Sequence, residues 1–209
     1  QYKFYENYDP KRMSVIPPGV DLNRFHPPRR SMEKPTIVKE IERFLIHPKK
    51  PAIVAISRAD ERKNIETLIQ AFAQNQFLTE NTNLIIFAGN RDDIQKMDRG
   101  SKKVLTNILF LIDKYDLYGK IAFPKHHNPK DIPEIYRFIT KTKGVFVNPA
   151  LTEPFGLTLL EAAASGAPLV ATNDGGPNII IGNCKNGYLA DPLNATEIGI
   201  SIQNIIEDN

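Results

Sequence analysis

The hydrophobic positions of the chain fall into two alternating patterns. Five short, almost continuously apolar runs are separated by longer segments in which apolar residues recur every three or four positions. The runs are typical of strands buried on both faces, and the longer spacing is typical of amphipathic helices. The predicted strands are Ala52–Ile56, Leu84–Gly89, Ile121–Phe123, Val145–Val147 and Leu169–Thr172. The predicted helices cover about 38–46, 65–72, 101–115, 130–141, 156–165 and 195–207, with a short one after Pro177. In the helix over 130–141, Ile132, Ile135 and Tyr136 are predicted to face inward.

Strands that alternate with helices in this order predict an α/β fold, a single Rossmann-like, doubly wound parallel sheet. Asn64 stands directly before a helix and is predicted to cap it, and Asp131 is predicted to begin or cap the helix over 130–141. Ligands of such sheets bind at the carboxyl ends of the strands. The loops that follow the strands are therefore where chemistry is expected.

The first 34 residues differ from the rest. They are rich in proline, tyrosine and charge, and they contain one short apolar stretch, Met13–Ile16, followed by Pro17-Pro18-Gly19. Paired prolines favour an extended, stiff segment. We therefore predict an interdomain linker over 1–34 and one sheet domain over 35–209.

Composition limits the classes of partner. The chain has 209 residues, 41% of them hydrophobic, and no apolar run approaches the roughly 18 residues that cross a bilayer, so we expect no membrane contact. The net charge is only +3 and the basic residues are scattered, which disfavours a nucleic-acid partner. The single cysteine, Cys184, excludes an internal disulfide and favours a cytoplasmic setting. The chain does not begin with methionine, which is compatible with an excised fragment.

Cations follow the first two predicted strands. Arg58 stands at the tip of the first strand and Lys63 just before the next helix, where a guanidinium and an ammonium can together neutralise a diphosphate. A basic loop that is merely solvated explains these two residues equally well when they are taken alone. Arg91, after the second strand, is better explained by turn chemistry than by a phosphate contact.

Adjacent histidines, His126 and His127, follow the third strand. Neighbours in an extended segment point to opposite sides, which disfavours a shared metal ion, and we predict no metal site. A loop whose backbone and one side chain contact a nucleobase is the preferred interpretation. After the fifth strand, Gly175-Gly176 either lets a ligand approach the backbone or simply makes a turn.

The most informative stretch is Thr152–Glu161, after the fourth strand. Gly156 lets the backbone approach a ligand, and the free N–H groups from Gly156 to Thr158 form an anion site that the helix dipole favours. Glu153 precedes that site, and Glu161 lies about one turn past it with its side chain leaning back. Carboxylates only accept hydrogen bonds, so they suit sugar hydroxyls rather than phosphate. The stretch predicts a nucleotide-sugar site, although either feature alone is typical of an ordinary helix start.

Three common motifs are missing. The sequence has no G-x-x-x-x-G-K-[ST] phosphate loop, no G-x-G-x-x-G dinucleotide fingerprint and no G-x-S-x-G nucleophile turn. Their absence disfavours an NTPase, a dinucleotide-dependent dehydrogenase and a hydrolase with a serine nucleophile.

Several segments together resemble the retaining glycosyltransferases of GT-B architecture, which contain two Rossmann-like domains. The segments similar to the broad family are Val15–Val20, Arg58 with Lys63-Asn64, and Glu153–Glu161 around Phe155-Gly156-Leu157-Thr158. Other segments resemble the sucrose-phosphate synthase branch: Gly89–Asp93, Ile112–Gly119, Pro124–His127 and Thr142–Ala150. The likeness runs from about residue 13 to the C-terminus and implies that the chain is the C-terminal, donor-binding half of such an enzyme.

The resemblance implies that glucose passes from UDP-glucose to the 2-hydroxyl of fructose 6-phosphate, with retention at the anomeric carbon. Arg58 and Lys63 would stabilise charge on the UDP leaving group, and Glu153 would hold glucose hydroxyls. The donor-binding residues would be His126, Phe155, Gly156, Leu157, Thr158 and Glu161. Of these, His126 would contact uracil, the amides of 156–158 the diphosphate, and Glu161 the ribose diol. This family needs no metal or other cofactor.

Two departures from the family pattern matter. Members of this branch usually carry an acid two residues after the Gly-Gly-Pro proline, where this chain has Ile179. The acceptor domain, which in this family comes first and supplies a catalytic histidine and most fructose 6-phosphate contacts, is not in the sequence. We therefore expect the isolated chain to bind UDP or UDP-glucose weakly and to be inactive.

Two alternatives stay open at this point. Sucrose synthase and other UDP- or ADP-sugar transferases share the donor motifs, because acceptor specificity lies in the other domain. A non-catalytic nucleotide-sugar-binding module is the second alternative. The intact set of Arg58, Lys63, Glu153 and Glu161 counts against it, and Ile179 leaves it open.

Overall fold

The computed structural model of the protein describes residues 19–29 and 33–208. In this part of the chain, helices flank one six-stranded sheet. The strands are β1 (Ala52–Ser57), β2 (Asn83–Ala88), β3 (Ile121–Ala122), β4 (Val145–Asn148), β5 (Leu169–Thr172) and β6 (Gly187–Ala190). The helices are α1 (Thr36–Glu42), α2 (Ile65–Gln74), α3 (Gln76–Asn81), α4 (Arg99–Lys114), α5 (Ile132–Lys141), α6 (Leu157–Ala164), α7 (Pro177–Cys184) and α8 (Ala195–Asp208).

The sheet is parallel throughout and has the strand order β3-β2-β1-β4-β5-β6. The chain builds outward from β1 to β3 on one side and from β4 to β6 on the other. The order therefore reverses between β1 and β4, and doubly wound sheets bind ligands at such a switch point. The predicted α/β fold with a doubly wound parallel sheet is confirmed.

Side chains from alternate positions of each strand enter two separate cores. Ile53 and Ala55 of β1 pack under α2, α4 and α8, whereas Ala52 and Val54 of the same strand pack under α1, α5 and α6. Successive strand residues point to opposite faces, so a strand covered on both faces has no polar positions to alternate with its apolar ones. This explains why the central strands are continuous apolar runs.

Two elements were not predicted from the sequence. β6 (Gly187–Ala190) is an edge strand in which Ala190 is buried, Gly187 and Leu189 are partly exposed and Tyr188 is exposed, so its apolar pattern is weak. α3 has one fully buried side chain, Leu78, which leaves no helical periodicity to detect. Its start is fixed locally, because the side chain of Asn75 accepts a hydrogen bond from the Leu78 N–H at 3.1 Å.

The predicted linker lies partly outside the described residues, which leave out 1–18 and 30–32. The described part packs on the domain: Phe25 is buried in the core beneath α1 and α5, and Arg137 Nη1 of α5 donates to the Arg24 carbonyl at 3.2 Å. Residues 24 and 25 therefore belong to the same packed unit as the domain. A linking role towards another domain stays a prediction. Within the described residues, no helix combines the length and hydropathy that crossing a membrane requires.

Candidate functional site

A cleft of about 410 Å³ opens at the carboxyl edge of the sheet, at the switch point between β1 and β4. Its walls are the ends of β1, β2 and β4 and the loops that follow them; the polar lining residues include Ser57, Arg58, Lys63, Asn90, His127, Asn148 and Thr158. A larger groove of about 930 Å³ lies near Pro168 and Gly187, at the amino ends of β5 and β6. The smaller cleft is the candidate site because it lies at the switch point and gathers cations and hydrogen-bond donors.

Lys63 and Glu153 form an ion pair at this cleft, with 2.8 Å between Nζ and Oε2. Their side chains are only 25% and 13% exposed. Asn148 Nδ2 donates to the same carboxylate oxygen at 3.2 Å, and the Gly156 N–H donates to the other oxygen at 3.2 Å. Burial acts to raise the pKa of Glu153, but these bonds and the charge of Lys63 outweigh it and lower that pKa. The carboxylate is therefore held in its charged form.

A short 3₁₀ turn, Glu61–Lys63, brings the lysine to this position. The Asp60 carboxylate accepts the Arg62 N–H at 3.0 Å and so starts the turn. The Leu151 N–H donates to the Arg62 carbonyl at 2.8 Å, which ties the turn to the loop after β4. Lys63 is thereby fixed against the loop that carries Glu153.

Asn64 stands at the start of α2 as predicted, but its side chain does not cap the helix. The residue is in the left-handed region, at φ 55°, where asparagine is tolerated better than most residues. Its amide nitrogen donates to the carbonyls of Pro149 at 3.0 Å and Pro192 at 2.7 Å. The helix start, the loop after β4 and the loop after β6 are cross-linked in this way, which the capping prediction missed.

Asn148, the last residue of β4, connects the parts of the site. Besides its bond to Glu153, its Nδ2 lies 3.5 Å from Thr158 Oγ1, and its Oδ1 accepts the Ala150 N–H at 3.2 Å. The side chain is buried, so each contact is protected from water. Sequence reasoning gave this residue no role, because an asparagine at a strand end has no signature of its own.

Of the three free donors predicted at the start of α6, the Gly156 N–H is occupied, because it donates to Glu153 Oε1 at 3.2 Å. Gly156 precedes the helix in the left-handed region, at φ 76°. A Cβ at this position would lie 2.8 Å from Ile180 Cδ1, the end of a flexible side chain, so it is mainly the backbone angle that favours glycine here. Among the described residues, no acceptor faces the N–H groups of Leu157 and Thr158. These two donors remain available to an anion, which the helix dipole favours.

Gly175 and Gly176 serve a backbone contact rather than only a turn. Gly175 pairs with Glu153 as a parallel bridge, and the Gly176 N–H donates to the Glu153 carbonyl at 2.8 Å. A Cβ on Gly175 would lie 2.3 Å from that carbonyl oxygen, and one on Gly176 would lie 2.6 Å from the Phe155 oxygen. The two glycines therefore let the loop after β5 lie directly on the loop that carries Glu153.

Arg58 reaches the rim of the cleft and is largely solvated. Its side chain is 79% exposed, and Nη2 lies 3.7 Å from Asp60 Oδ2. A contact this long between exposed groups contributes little to stability. The guanidinium therefore contributes little to the stability of the fold.

Glu161 lies one turn into α6 and is half-buried. Its Oε2 accepts a hydrogen bond of 3.2 Å from the Tyr136 hydroxyl of α5. Burial raises the pKa of Glu161, while the Tyr136 bond and the charge of Arg24 partly oppose that rise. The prediction that Tyr136 faces inward is confirmed, whereas its bond to Glu161 was not foreseen.

The two histidines after β3 point to different places. His126 is exposed, with Nε2 3.3 Å from Asp92 Oδ1, and it lines a groove beside α1 rather than the cleft. His127 lines the cleft, packs edge-on against Phe87 at 5.2 Å, and has its backbone held by two hydrogen bonds with the Asn90 side chain. Burial lowers the pKa of His127 and favours the neutral ring. The structure therefore brings His127, not His126, to the candidate site.

The remaining predicted residues separate into structural and exposed groups. The Arg91 guanidinium is buried and donates to the carbonyls of Phe123 and Pro124 at 3.0 Å each, which agrees with the non-functional interpretation. The side chains of Phe155, Leu157 and Ile179 are exposed and do not line the cleft. Across residues 19–29 and 33–208, no group of three or more His, Cys, Asp or Glu side chains is placed to hold a metal ion.

The fold and the cleft place the protein among the Rossmann-like α/β proteins that bind a ligand at the switch point of a parallel sheet. Residues 37–209 match the model of the family "Glycosyl transferases group 1". The chain belongs to this family, and the predicted likeness to GT-B glycosyltransferases is confirmed.

Individual relatives agree with that membership. The chain is 49% identical, over 94% of its length, to probable sucrose-phosphate synthase 1 of Oryza sativa subsp. indica, and it spans 20% of that relative. Its fold matches the sucrose-phosphate synthase of Thermosynechococcus elongatus with a TM-score of 0.72 and 28% identity, covering 93% of this chain and 43% of that one. HepE of Anabaena, solved in complex with UDP-glucose, matches with a TM-score of 0.69 and 22% identity, covering 91% and 46%.

Proposed function

We propose that this chain is the donor-binding part of a retaining glucosyltransferase that transfers glucose from UDP-glucose to fructose 6-phosphate. The C1–O bond between glucose and the diphosphate breaks, and C1 bonds to the 2-hydroxyl oxygen of fructose 6-phosphate. The acceptor proton passes to the leaving phosphate. The products are sucrose 6-phosphate and UDP, so the reaction would belong to sucrose biosynthesis.

One observation carries the proposal: the Lys63–Glu153 pair lies beside the unused N–H groups of Leu157 and Thr158. A cation and two backbone donors at a helix start are suited to a diphosphate. Glu153 accepts hydrogen bonds only, so it suits a sugar hydroxyl next to that diphosphate. The combination fits a nucleotide sugar better than a free nucleotide or a free sugar.

The other assignments follow from position around this centre. Arg58 has a solvated guanidinium at the rim and is free to turn towards a diphosphate. Glu161 has a carboxylate oxygen available for the ribose diol, and His127 lines the wall of the cleft after β3, where we now place the uracil contact instead of at His126. Donors fixed before the ligand arrives stabilise charge on a leaving group without reorganisation during the reaction. A metal ion has no part in this proposal.

The choice of substrates rests on the relatives. Sucrose-phosphate synthases share close to half of the residues of this chain, and HepE, of similar fold, was solved with UDP-glucose. Because the chain spans about a fifth of the length of these synthases, we assign most fructose 6-phosphate contacts to a further domain. The chain by itself would then bind the donor without transferring glucose. We place the reaction in the cytoplasm, for which the lone Cys184 is the support.

Calorimetric titration of this chain with UDP, ADP and fructose 6-phosphate tests the proposal. We expect weak binding of UDP and no heat with fructose 6-phosphate. Lys63→Ala should weaken UDP binding about 10- to 100-fold, as expected for the loss of a hydrogen bond to a charged group. Lys103→Ala is the matched control, since Lys103 pairs with Glu61 at 2.9 Å on the exposed surface.

Three results would contradict the proposal. One is binding of fructose 6-phosphate without UDP, and another is UDP binding that Lys63→Ala leaves intact. The third is the absence of UDP binding at millimolar concentration even after the N-terminal domain of a relative is added in trans. Production of sucrose 6-phosphate by the chain alone would contradict the assignment of the acceptor site to another domain.

A further inference from the structure

Tyr136 is a fully buried phenol whose hydroxyl contacts Glu161, the carboxylate that we assign to the ribose diol. Its exposed fraction is 0%, and its Oη lies 3.2 Å from Glu161 Oε2. The ring packs edge-on against Phe146 and Phe25, with 5.3 Å and 6.0 Å between ring centroids. Since α5 and these two rings hold the phenol, its hydroxyl is a fixed point from which Glu161 is oriented.

In this hydrogen bond Tyr136 is the donor and the Glu161 carboxylate is the acceptor. Burial, and next the nearby charge of Glu161, raise the pKa of Tyr136 well above its ordinary value, so the phenol stays a donor at physiological pH. The bond engages only Oε2 of Glu161; among the described residues, no hydrogen bond reaches Oε1. One oxygen of the carboxylate is thus held by the protein, and the other is open.

The hydrogen bond between Tyr136 and Glu161 is not an efficient way to stabilise the fold. A buried phenol needs an acceptor, and a half-buried carboxylate loses hydration that one hydrogen bond replaces only in part. An apolar pair of the same size would fill the space between α5 and α6 without either cost. What the polar pair provides instead is a carboxylate with a fixed orientation.

We propose that Tyr136 is a positioning residue which, by holding Glu161, makes the donor site select a ribonucleotide over a 2′-deoxyribonucleotide. The inference rests on the proposed function, specifically on the assignment of the ribose diol to Glu161. A vicinal diol offers two donors in a set geometry. A carboxylate whose plane is fixed can accept both, whereas one that is free to rotate must first be ordered by the ligand.

The test compares UDP with 2′-deoxy-UDP by calorimetry on the wild-type chain and on Tyr136→Phe. Phenylalanine keeps the ring contacts with Phe146 and Phe25 and removes only the hydroxyl. We expect the wild-type chain to prefer UDP by about tenfold or more, the factor typical of a lost hydrogen bond to a charged group. Tyr136→Phe should reduce this preference about three- to tenfold, through weaker UDP binding alone.

Two further variants make the result specific. Tyr118→Phe removes the same kind of bond elsewhere, because the exposed Tyr118 hydroxyl donates to Asp113 at 2.9 Å, and it should leave the preference unchanged. Glu161→Ala should abolish the preference. If Tyr136→Phe weakens both nucleotides equally, its role is only structural and the inference is wrong.

The failure of this inference can be distinguished from failure of the proposed function. If Glu161→Ala abolishes the preference and Tyr136→Phe leaves it intact, the positioning role is wrong and the ribose assignment stands. If the wild-type chain binds both nucleotides equally, the ribose assignment of Glu161 is wrong, and the positioning role is wrong with it.

Discussion

The two glutamates that bracket the start of α6 occupy opposite environments. Glu153, on the loop, is bonded to the Lys63 ammonium, to an amide and to a backbone N–H, and its pKa is lowered against the effect of burial. Glu161, on the helix, has one neutral phenol as its partner, and burial raises its pKa. The two glutamates are eight positions apart in sequence.

This difference indicates that a ligand would affect the two carboxylates in different ways. Glu153 compensates a cation, so in the free protein it occupies the lysine that we assign to the diphosphate. Glu161 accepts a hydrogen bond from a neutral phenol, and the charge of Arg24 opposes the effect of burial only in part, so this carboxylate gains most from hydroxyl donors brought by a ligand. In the proposed function, glutamate would therefore compete with the diphosphate for Lys63 at one end of the stretch and accept the ribose hydroxyls at the other.

The largest expected effect is on stability and comes from disrupting the backbone contact between Gly175 and Glu153. Gly175→Ala places a Cβ 2.3 Å from the Glu153 carbonyl oxygen at a position with φ 86°. The strained backbone and the overlap together should lower the free energy of unfolding by about 2–4 kcal/mol. The measurement is thermal and urea denaturation.

Gly182→Ala is the matched control for that variant. Gly182 lies within α7, and a Cβ there would meet nothing within 4 Å. Alanine should raise the free energy of unfolding by about 0.5–1 kcal/mol, because it reduces the entropy of the unfolded chain. Equal effects of the two substitutions would show that the contact between the loops at Glu153 and Gly175 contributes nothing.

The next prediction tests, through the affinity for UDP, whether Glu153 competes with the diphosphate for Lys63. Glu153→Gln removes the negative charge beside Lys63 and should tighten UDP binding about three- to tenfold, or roughly 0.7–1.4 kcal/mol. Glu161→Gln should weaken UDP binding about fivefold, since a neutral acceptor holds the ribose hydroxyls less strongly. Titration calorimetry measures both variants. If both substitutions weakened UDP binding, or both strengthened it, the proposed difference in role between Glu153 and Glu161 would be wrong.

Much of the fold was predictable from the sequence. The five predicted strands were found because a strand buried on both faces has to be apolar at every position, and that pattern survives in a single sequence. β6 lies at the sheet edge and is only partly covered, so its pattern is weak. The loops after the strands could be placed together because the carboxyl ends of parallel strands meet at one edge.

The pairings within the site were not predictable. Lys63 was placed at the cleft, but nothing in the sequence says that a residue 90 positions later would bind it. Neighbouring loop residues alternate in direction, so sequence alone cannot tell whether His126 or His127 faces the cleft, and it is His127 that lines it. Tyr136 was assigned to the core, which is correct, but periodicity does not reveal where its hydroxyl points.

The smallest expected effect is a difference in pH dependence. Glu153 has a lowered pKa in the folded state, so its charged form contributes stability above its ordinary pKa, and this is lost as the pH falls through the lowered value. Glu161 has a raised pKa, so its contribution is fully present below the ordinary pKa and is lost as the pH rises through the raised value. Glutamine mimics the protonated acid at both positions.

Thermal melting at pH 7 and near pH 4 then separates the two acids. At pH 7, Glu153→Gln should lower Tm and Glu161→Gln should raise it, each by a few degrees at most for a domain of this size. The difference for Glu161→Gln should shrink near pH 4, because the raised pKa brings the wild-type carboxylate towards the neutral state that glutamine imitates. The difference for Glu153→Gln should persist to lower pH, because the lowered pKa keeps that carboxylate charged. Glu207→Gln, at an exposed position on α8, is the control and should change neither melting curve. A lower Tm for Glu161→Gln at pH 7 would show that the bond from Tyr136 outweighs the burial of the charge, and Glu161 would then resemble Glu153 rather than contrast with it.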